Sequence, residues 1–327
     1  MSSLAPILLF VYNRPEHTKR TLDALCQNNL ARDSKLIIYA DGPKDGASKE
    51  EINLIKETRS FCKDIIGFAS VKVIESNYNK GLDPSEIDGI TNVINEYDKV
   101  IVLEDDLITN KYFLRYMNEA LDFYHDDNRI FQIAGFTDNI QFPMCYTKYH
   151  NIFASHRVES CGWATWKDRW NLCTWKEENY DIIKYPNKLK INKFNRGGAD
   201  LYDQLLNKLS GITDAWDIRW QNCVYEHEAL CIRPVRSMIY NIGFDGTGVH
   251  SGVIEQERVL SATAPLYNES KYDIQLEHNI KPNYFVQKRI QKFFRPARTP
   301  LWKRCKRKIR YLFESGKSYI SHCSYLQ

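Results

Sequence analysis

Three adjacent carboxylates follow an apolar run in the N-terminal third of the chain. The run is residues 100–103, three of which are β-branched, and Glu104, Asp105 and Asp106 come directly after it. Such a run predicts a strand buried on both faces. Residues 108–124 are predicted to be helical, so the acids are expected at the carboxyl edge of the sheet, where open α/β sheets bind ligands. Because adjacent acids repel one another and a divalent cation relieves this, the triplet predicts a metal-and-nucleotide site, although acids after a strand are also common as a solvated loop start.

Two more polar residues follow predicted strands that precede the triplet. Arg14 comes after the first strand, where there is no glycine-rich phosphate loop, so side chains and a metal are expected to hold any phosphate. Arg14 is expected either to hold a diphosphate oxygen or to pair with a surface acid. Asp41 ends the second strand and lies at the same edge if the sheet is parallel. It could accept a hydrogen bond from a base imide, or it could belong to an ordinary Asp-Gly-Pro turn.

The next candidates lie in a segment rich in tryptophan. Trp163 belongs to the run Ser-Cys-Gly-Trp-Ala-Thr-Trp at 160–166. Tryptophan beside glycine can form a stacking floor for a sugar, and it is equally ordinary in a protein core. Asp217 lies between Trp216 and Trp220 at the start of a predicted helix, 219–228. It is expected to cap that helix, or to be a partly desolvated general base with a raised pKa.

A glycine-rich segment follows at residues 243–252, with four glycines in ten residues. This composition is typical of a mobile loop that closes over a substrate. His250 in this loop is either a metal ligand or phosphate donor, or an exposed histidine with no such role. The sequence leaves both interpretations open.

Strands and helices are predicted to alternate along the first part of the chain. This rhythm predicts an α/β fold with a mostly parallel central sheet flanked by helices on both faces. One further strand is expected at 232–239. The predicted strands are 6–12, 35–40, 70–75, 100–103 and 130–134, and the predicted helices are 16–28, 50–62, 85–96 and 112–124.

Composition indicates a folded globular protein. The chain has 327 residues, of which 43% are hydrophobic and 26% charged. Nine cysteines are scattered without Cys-x-x-Cys spacing, which favours reduced thiols and a cytoplasmic location.

The charge is distributed unevenly. Residues 281–327 contain 13 Lys and Arg against one acid, a net charge of +12, whereas the first 280 residues have a net charge of −8. Aromatic residues alternate with the basic ones in this tail. Such segments bind anionic membrane surfaces or nucleic acid, and the absence of a nucleic-acid recognition motif favours the membrane. The tail therefore predicts a peripheral position at the inner face of the cell membrane.

Taken together, these residues resemble a GT-A glycosyltransferase of the N-acetylglucosaminyltransferase I type and its bacterial relatives in surface-polysaccharide synthesis. The likeness runs from Pro6 to about Gly252, with four landmarks in order. Residues 6–14 are similar to the family's first strand and its arginine, and 38–41 to the second strand with its base-contacting aspartate. Residues 102–107 match the Glu-Asp-Asp-Leu form of the DxD motif. Trp216 and Asp217 resemble the segment of the catalytic base, although the family reads Trp-Asp-Asp-Trp there.

The resemblance implies an inverting transferase that moves a sugar from a UDP-sugar, such as UDP-GlcNAc or another UDP-hexose, to a hydroxyl of a growing surface glycan, and a lipid-linked acceptor is expected. It implies Mn²⁺ or Mg²⁺ bound by Asp106, with His250 as a further ligand. Asp217 would be the base. The implied donor-binding residues are Arg14, Asp41, Glu104, Asp105 and Trp163.

The expected organisation has three parts. Residues 1–140 would form a Rossmann-like nucleotide-sugar-binding half and 141–280 an acceptor-binding half with the base and the closing loop. Residues 281–327 would form a basic helical tail.

Two other classes of protein have the same predicted sheet. A sugar-nucleotide pyrophosphorylase would need a glycine-rich signature after the first strand, where this chain has Asn-Arg-Pro. A non-catalytic glycan-binding or nucleotide-sugar-binding protein would tolerate the loss of Asp106 or Asp217, and both are present. Fold alone does not decide between a catalyst and a binding protein, because function resides in the site.

Overall fold

The computed structural model describes residues 3–243, 245, 266–268 and 270–295. His250, most of the glycine-rich loop and the tail beyond Arg295 lie outside the described residues. The expectations for them are therefore neither supported nor contradicted by this structure.

An eight-stranded sheet forms the centre of the described chain, in the order β3-β2-β1-β4-β8-β6-β9-β7. Six strands run in one direction, and β7 and β8 run in the other. A separate antiparallel pair joins β5 to β10. The strands are β1 Ile7–Val11, β2 Lys35–Ala40, β3 Ser70–Glu75, β4 Lys99–Glu104, β5 Leu107–Thr109, β6 Ile130–Ala134, β7 Ile152–Ser155, β8 Trp163–Trp166, β9 Leu230–Pro234 and β10 Ile239–Asn241.

Helices cover both faces of this sheet. The longer ones are α1 Pro15–Cys26, α2 Lys49–Asp64, α3 Leu82–Tyr97, α4 Phe113–Phe123, α9 Leu201–Leu209, α10 Asp217–Glu226 and α11 Tyr284–Phe293. The shorter ones are α5 Met144–Thr147, α6 Lys167–Trp170, α7 Asp181–Lys184 and α8 Lys188–Phe194, with 3₁₀ turns at Ala31–Asp33, Glu177–Asn179 and Asn195–Gly197.

The alternation of side chains along β1 sorts the core into two layers. Ile7 and Leu9 pack with α1, α2 and α4, whereas Leu8 and Phe10 pack with α3, α6 and α10. Every residue of β1 is buried, as expected for a strand covered on both faces. The predicted α/β architecture with a mostly parallel sheet flanked by helices is thus confirmed at this level.

One predicted helix was too long. Residues 107–109 form β5, not helix, because they pair antiparallel with β10. The helix begins only at Phe113, after Asn110 accepts a hydrogen bond from the backbone of Tyr112 (2.9 Å). The chain therefore turns sharply at Asp105 and Asp106, between two strands.

The predicted strand at 232–239 is two strands. β9 ends at Pro234, one further backbone hydrogen bond follows from Val235 to the Asn151 carbonyl (2.8 Å), and β10 begins at Ile239. Between them the Ser237 hydroxyl donates to the Ile239 carbonyl (2.7 Å). This break carries the chain from the main sheet to β5, and so back to the triplet of acids.

No described helix combines the length and the apolar character that a bilayer-spanning segment needs.

Candidate functional site

The acids of the triplet stand where β4 leaves the sheet. Residues 100–103 are fully buried in the strand, and Glu104 is its last residue. Because β1 pairs in parallel with β4, the loop after β1 lies beside this point and supplies Arg14. The Nη2 of Arg14 donates to Asp105 and, at 3.0 Å, to Oδ2 of Asp106. The structure thus brings together Arg14 and the acids, as the parallel sheet predicted.

The charge at this point is not balanced. Burial, with Asp106 and Asp105 adding repulsion, raises the pKa of Glu104 to about 8. Burial also raises the pKa of Asp105 to about 6, against the lowering effect of Arg14. Burial alone would lower the pKa of Arg14, but the two aspartates outweigh it and raise it. One guanidinium therefore faces three carboxyl groups whose charged forms are disfavoured, and additional positive charge would favour their ionisation.

The acids open onto a cavity of about 760 Å³ at the carboxyl edge of β1, β2 and β4. Its walls include polar residues from the loops after all of these strands and from the start of α3. This volume lies within the usual range for small-molecule sites. Among its lining residues are Tyr12, Asn13, Arg14, Asp41, Asn79, Lys80, Glu104, Asp105, Asp106, Cys161, Asp214, Asn241 and Gly243.

The backbone closes tightly over Asp106 at the start of the glycine-rich segment. The Gly243 N–H donates to the side chain of Asn241 (2.7 Å). A Cβ on Gly243 would lie 1.9 Å from Oδ2 of Asp106, so no larger residue fits there without displacing the carboxylate. Gly243, the first residue of the glycine-rich segment, therefore lies directly beside the triplet.

Asp41 organises a loop of the cavity wall. Its carboxylate accepts hydrogen bonds from the backbone of Lys80 (2.9 Å), the amide of Asn79 (2.9 Å) and the backbone of Gly42 (2.8 Å). A Cβ on Gly42 would lie 2.5 Å from the backbone of Tyr78, so the loops after β2 and β3 pack directly on each other. The expected contact with a nucleotide base stays a prediction, and this carboxylate already has partners within the protein.

Asp217 is the first residue of α10, as the sequence placed it near a helix start. Burial raises its pKa, while Arg157 and the backbone N–H of Ile218 lower it. It is close enough to Glu104 for its charge to raise the pKa of that residue. Among the described residues Asp214, not Asp217, lines the cavity. The structure therefore places Asp217 near Glu104 but not on the described cavity wall.

Trp163 lies in the protein core. Its side chain is 0% exposed, and it packs on Trp216, Trp170 and Trp220 with ring centroids 5.6 to 6.1 Å apart. β8 lies between β4 and β6 in the sheet, so its tryptophan points into the core. Trp163 is not among the described residues that line the cavity, and its expected contact with a donor sugar stays a prediction.

Glu86 is a residue that the sequence interpretation missed. It is 1% exposed, and neither carboxylate oxygen has a hydrogen-bond partner. Burial, with the charges of Glu104 and Asp217, raises its pKa well above the usual value. A signal was available, because Glu86 falls on the same helical stripe as Ile90 and Val93, which faces the core. It adds a further acid behind the site.

The donor set fits a divalent cation, although no group of three potential ligands for a metal was found among the described residues. Mg²⁺ is usually bound through one or two carboxylates of the protein together with phosphates of the substrate. A single aspartate on the wall of this cavity is therefore a sufficient protein ligand. Asp106, with one Arg14 contact and an acid excess around it, is the residue present for that role.

Comparison with known proteins adds little to this geometry. No protein-family profile matches the chain, and no curated protein matches it in sequence. Among solved structures, S. aureus TarS is similar over 80% of this chain and 42% of its own, with 11% identity and a TM-score of 0.39. UDP-glucose pyrophosphorylase complexed with UDP-glucose is similar over 54% of this chain and 82% of its own, with 12% identity and a TM-score of 0.28. Mouse xyloside xylosyltransferase 1 is similar over 41% of this chain and 53% of its own, with 12% identity and a TM-score of 0.24. Scores below 0.5 carry no conclusion about this chain.

Proposed function

We propose that the chain is a metal-dependent, inverting glycosyltransferase that uses a UDP-sugar, such as UDP-GlcNAc or another UDP-hexose. The supporting observation is the unbalanced cluster of Glu104, Asp105 and Asp106 beside Arg14 in a cavity of small-molecule size. Such a cluster suits a cation bridging the protein and a diphosphate better than it suits an empty surface loop. The GT-A resemblance of the sequence is the second support.

In this mechanism the acids of the triplet have different tasks. Asp106 would hold Mn²⁺ or Mg²⁺, which supplies positive charge beside the departing nucleoside diphosphate. Arg14 would keep the carboxylates of Asp105 and Asp106 in place and would add a fixed positive charge near the phosphates. Glu104 and Asp105 would orient ribose and sugar hydroxyls through hydrogen bonds.

The acceptor side of the mechanism belongs to Asp217. A general base works best when its pKa lies near the working pH, and burial raises the pKa of Asp217 in that direction. Asp217 would remove the proton from an acceptor hydroxyl as that oxygen attacks the anomeric carbon opposite the departing diphosphate, which inverts the configuration. The proposed acceptor is a hydroxyl of a growing cell-surface glycan.

Calorimetric titration with a panel of nucleotide sugars, each with and without Mn²⁺, tests the proposal. We expect the protein to bind one UDP-sugar only when the metal is present. The Asp106→Ala variant should lose this binding. Asp214→Ala is the matched control, because Asp214 also lines the cavity but its side chain is 68% exposed and pairs with Lys208.

Two outcomes would contradict the proposal. Unchanged donor affinity in Asp106→Ala with metal present would remove Asp106 from the metal site. Binding of no UDP-sugar would overturn the choice of donor. Metal-dependent binding without turnover of any acceptor would instead favour a non-catalytic nucleotide-sugar-binding protein.

A further inference from the structure

Helix α11 is fixed at one edge of the central sheet. Its Val286 and Ile290 are fully buried against a small apolar cluster that includes Phe153 of β7. Gln287 donates from its side chain to the Ala154 carbonyl of the same strand (3.0 Å). The side chain of Asn283 caps the first turn. The buried side of the helix is thus fully used in packing, and its orientation is set.

The outer side of α11 combines aromatic rings with positive charge. Tyr284 is 66%, Phe285 65% and Phe293 40% exposed. Lys288, Arg289 and Lys292 are exposed on the same helix. Residues 281–295 contain five Lys and Arg and no acid. Exposed rings cost free energy in water, so this face has the composition of a surface that meets an apolar partner carrying negative charge.

Helix α5 adds to this face, because its Tyr146 packs into the same apolar cluster as Val286 and Ile290. The residues of α5 and its C-terminal end that point away from the cluster are strongly exposed: Met144 is 88% and Tyr149 72% exposed. Lys148 lies over the Tyr149 ring. We call Met144, Lys148 and Tyr149 together with the exposed residues of α11 the α5–α11 face.

We propose that the α5–α11 face docks on an anionic lipid bilayer. A bilayer interface accepts both components at once, since aromatic and aliphatic side chains enter the headgroup region while Lys and Arg meet anionic headgroups. Nucleic acid would use the cations, but recognition of single strands uses rings that line a basic groove, whereas here the exposed rings and cations alternate along the outer side of α11. The +12 net charge of residues 281–327 has the same sign and continues from α11.

The contacts at the end of α11 bear on which kind of acceptor a docked protein would meet. Phe294, directly after α11, stacks on the guanidinium of Arg157 at 3.6 Å from the ring centroid. Arg157 forms a two-pronged ion pair with Asp200 (3.0 and 3.1 Å), and its charge lowers the pKa of Asp217. The end of α11 therefore contacts an arginine whose charge acts on the proposed base. Resting on the proposed function, this implies an acceptor carried on a membrane lipid.

Co-sedimentation of the full chain with vesicles tests the docking. We compare phosphatidylcholine vesicles containing phosphatidylglycerol with vesicles of phosphatidylcholine alone. The triple variant Lys288→Gln, Arg289→Gln, Lys292→Gln should bind the anionic vesicles roughly 100-fold more weakly, because each basic residue near such a surface contributes on the order of fivefold. The double variant Tyr284→Ser, Phe285→Ser should also bind more weakly and should show a steeper decrease with added salt.

The matched control removes three exposed cations from the region of the opposite sheet edge, with Arg20→Gln, Lys56→Gln and Lys72→Gln on α1, α2 and β3. This control should change vesicle binding much less than the α11 triple variant. Equal losses in both triple variants, or equal binding to both vesicle types, would overturn the proposal. Tighter binding to a single-stranded oligonucleotide than to vesicles, or sedimentation without vesicles, would assign the face to nucleic acid or to a second copy.

Nucleotide-sugar titration of the same samples without vesicles keeps the two proposals separate. The α11 triple variant should bind the donor as the unmodified chain does, because none of its three substitutions touches the cavity. Loss of vesicle binding with intact donor binding supports the docking face. Vesicle binding without any donor binding would leave the docking face standing and would contradict the proposed function.

Discussion

Two clusters in this protein have the same composition, one arginine with two acids, and different surroundings. Arg14 pairs with Asp105 and Asp106 on the wall of the cavity, whereas Arg233 pairs with Asp138 (2.8 Å) and Glu159 (2.9 Å) at the ends of β6 and β9. The side chain of Arg14 is 18% exposed and that of Arg233 is 0%. The acids of the two clusters are buried to similar degrees.

The difference between the clusters lies in what else surrounds the charges. Arg233 also donates to the Phe136 carbonyl (3.2 Å). The side-chain amide of Gln132 donates to the Glu159 carbonyl and accepts from the Glu159 N–H (2.9 Å each). Around Arg14, by contrast, there is a third acid of the triplet, Glu104, beside Asp105 and Asp106. Each arginine has a buried Nη1 without a hydrogen-bond partner, but the Arg233 cluster is enclosed in the protein, whereas the Arg14 cluster has an additional acid beside it and lies on the wall of the cavity. We infer that the first stabilises the fold and the second binds ligand.

The comparison is sharpened most by replacing one acid near the Arg14 cluster, Asp217, and one member of the Arg233 cluster, Asp138. Asp217→Asn should lower turnover by roughly 10² to 10⁴, the usual effect of removing a general base. Donor affinity and the folded state should be nearly unchanged. The measurement is steady-state turnover together with calorimetric donor binding.

Asp138→Asn is the matched substitution at the Arg233 cluster. It should reduce the free energy of unfolding and leave turnover per folded molecule within a few-fold of the original. Near-normal turnover in Asp217→Asn would exclude Asp217 as the base. A large loss of turnover in folded Asp138→Asn would show that the Arg233 cluster has a role in the reaction.

Replacing each arginine by methionine should separate stability from binding. Arg233→Met leaves two buried acids without their cation and should lower the free energy of unfolding by about 3–5 kcal/mol. Arg14→Met should cost less than half as much, because water in the cavity can solvate the acids that it leaves. Urea denaturation measures both. Equal losses of stability would contradict the distinction between the clusters.

The sequence predicted that Arg14 and the acids each come after a strand, and it left open whether Arg14 pairs with an acid or holds a phosphate. β1, β2 and β4 are short, apolar and parallel, so their carboxyl ends meet at one edge and the residues after them must be neighbours. Local pattern was sufficient there. The one error at this point, β5 read as helix, came from a pairing with β10 more than 130 residues away, which no local pattern reveals.

The Arg233 cluster could not be predicted in this way. Its members come from β9, from the loop after β6 and from the loop before β8, and β8 enters the sheet antiparallel between β4 and β6. Trp163 lies on the inserted strand β8 and is buried in the core, whereas the sequence had indicated a contact with a sugar. Glu86 was missed for a different reason: its spacing from Ile90 and Val93 indicated the buried side of α3, but a glutamate on a helix is usually exposed.

The pH dependence of stability should report the Arg233 cluster. Burial raises the pKa of Glu159 from 4.5 to about 7, although Arg233 lowers it. The folded state then holds a proton that the unfolded state has released, so this contribution to stability is complete below pH 4.5 and is lost as the pH rises to about 7. The loss should be roughly 1–3 kcal/mol. Urea denaturation across this range measures it.

Glu159→Gln isolates this contribution, because other buried acids also titrate. The decline in stability between the two pH values should be smaller in the variant than in the unmodified chain. Glu57→Gln, a substitution of an exposed glutamate on α2, should leave the decline unchanged. An identical pH profile in all three proteins would show that Glu159 does not hold its proton in the folded state.

The smallest expected effect concerns two buried threonine hydroxyls. Thr21 of α1 donates to the Asp105 carbonyl (2.8 Å), and Thr165 of β8 donates to the Phe131 carbonyl (2.7 Å). Both are 0% exposed, so Thr→Val at either position should cost about 1 kcal/mol of stability. Only Thr21→Val loosens the turn that carries the triplet, so only this variant should weaken donor binding, by roughly two- to fivefold. Equal donor affinity in both variants would mean that the turn is held by Arg14 and the strands alone, and that the cavity tolerates movement of the Asp105 backbone.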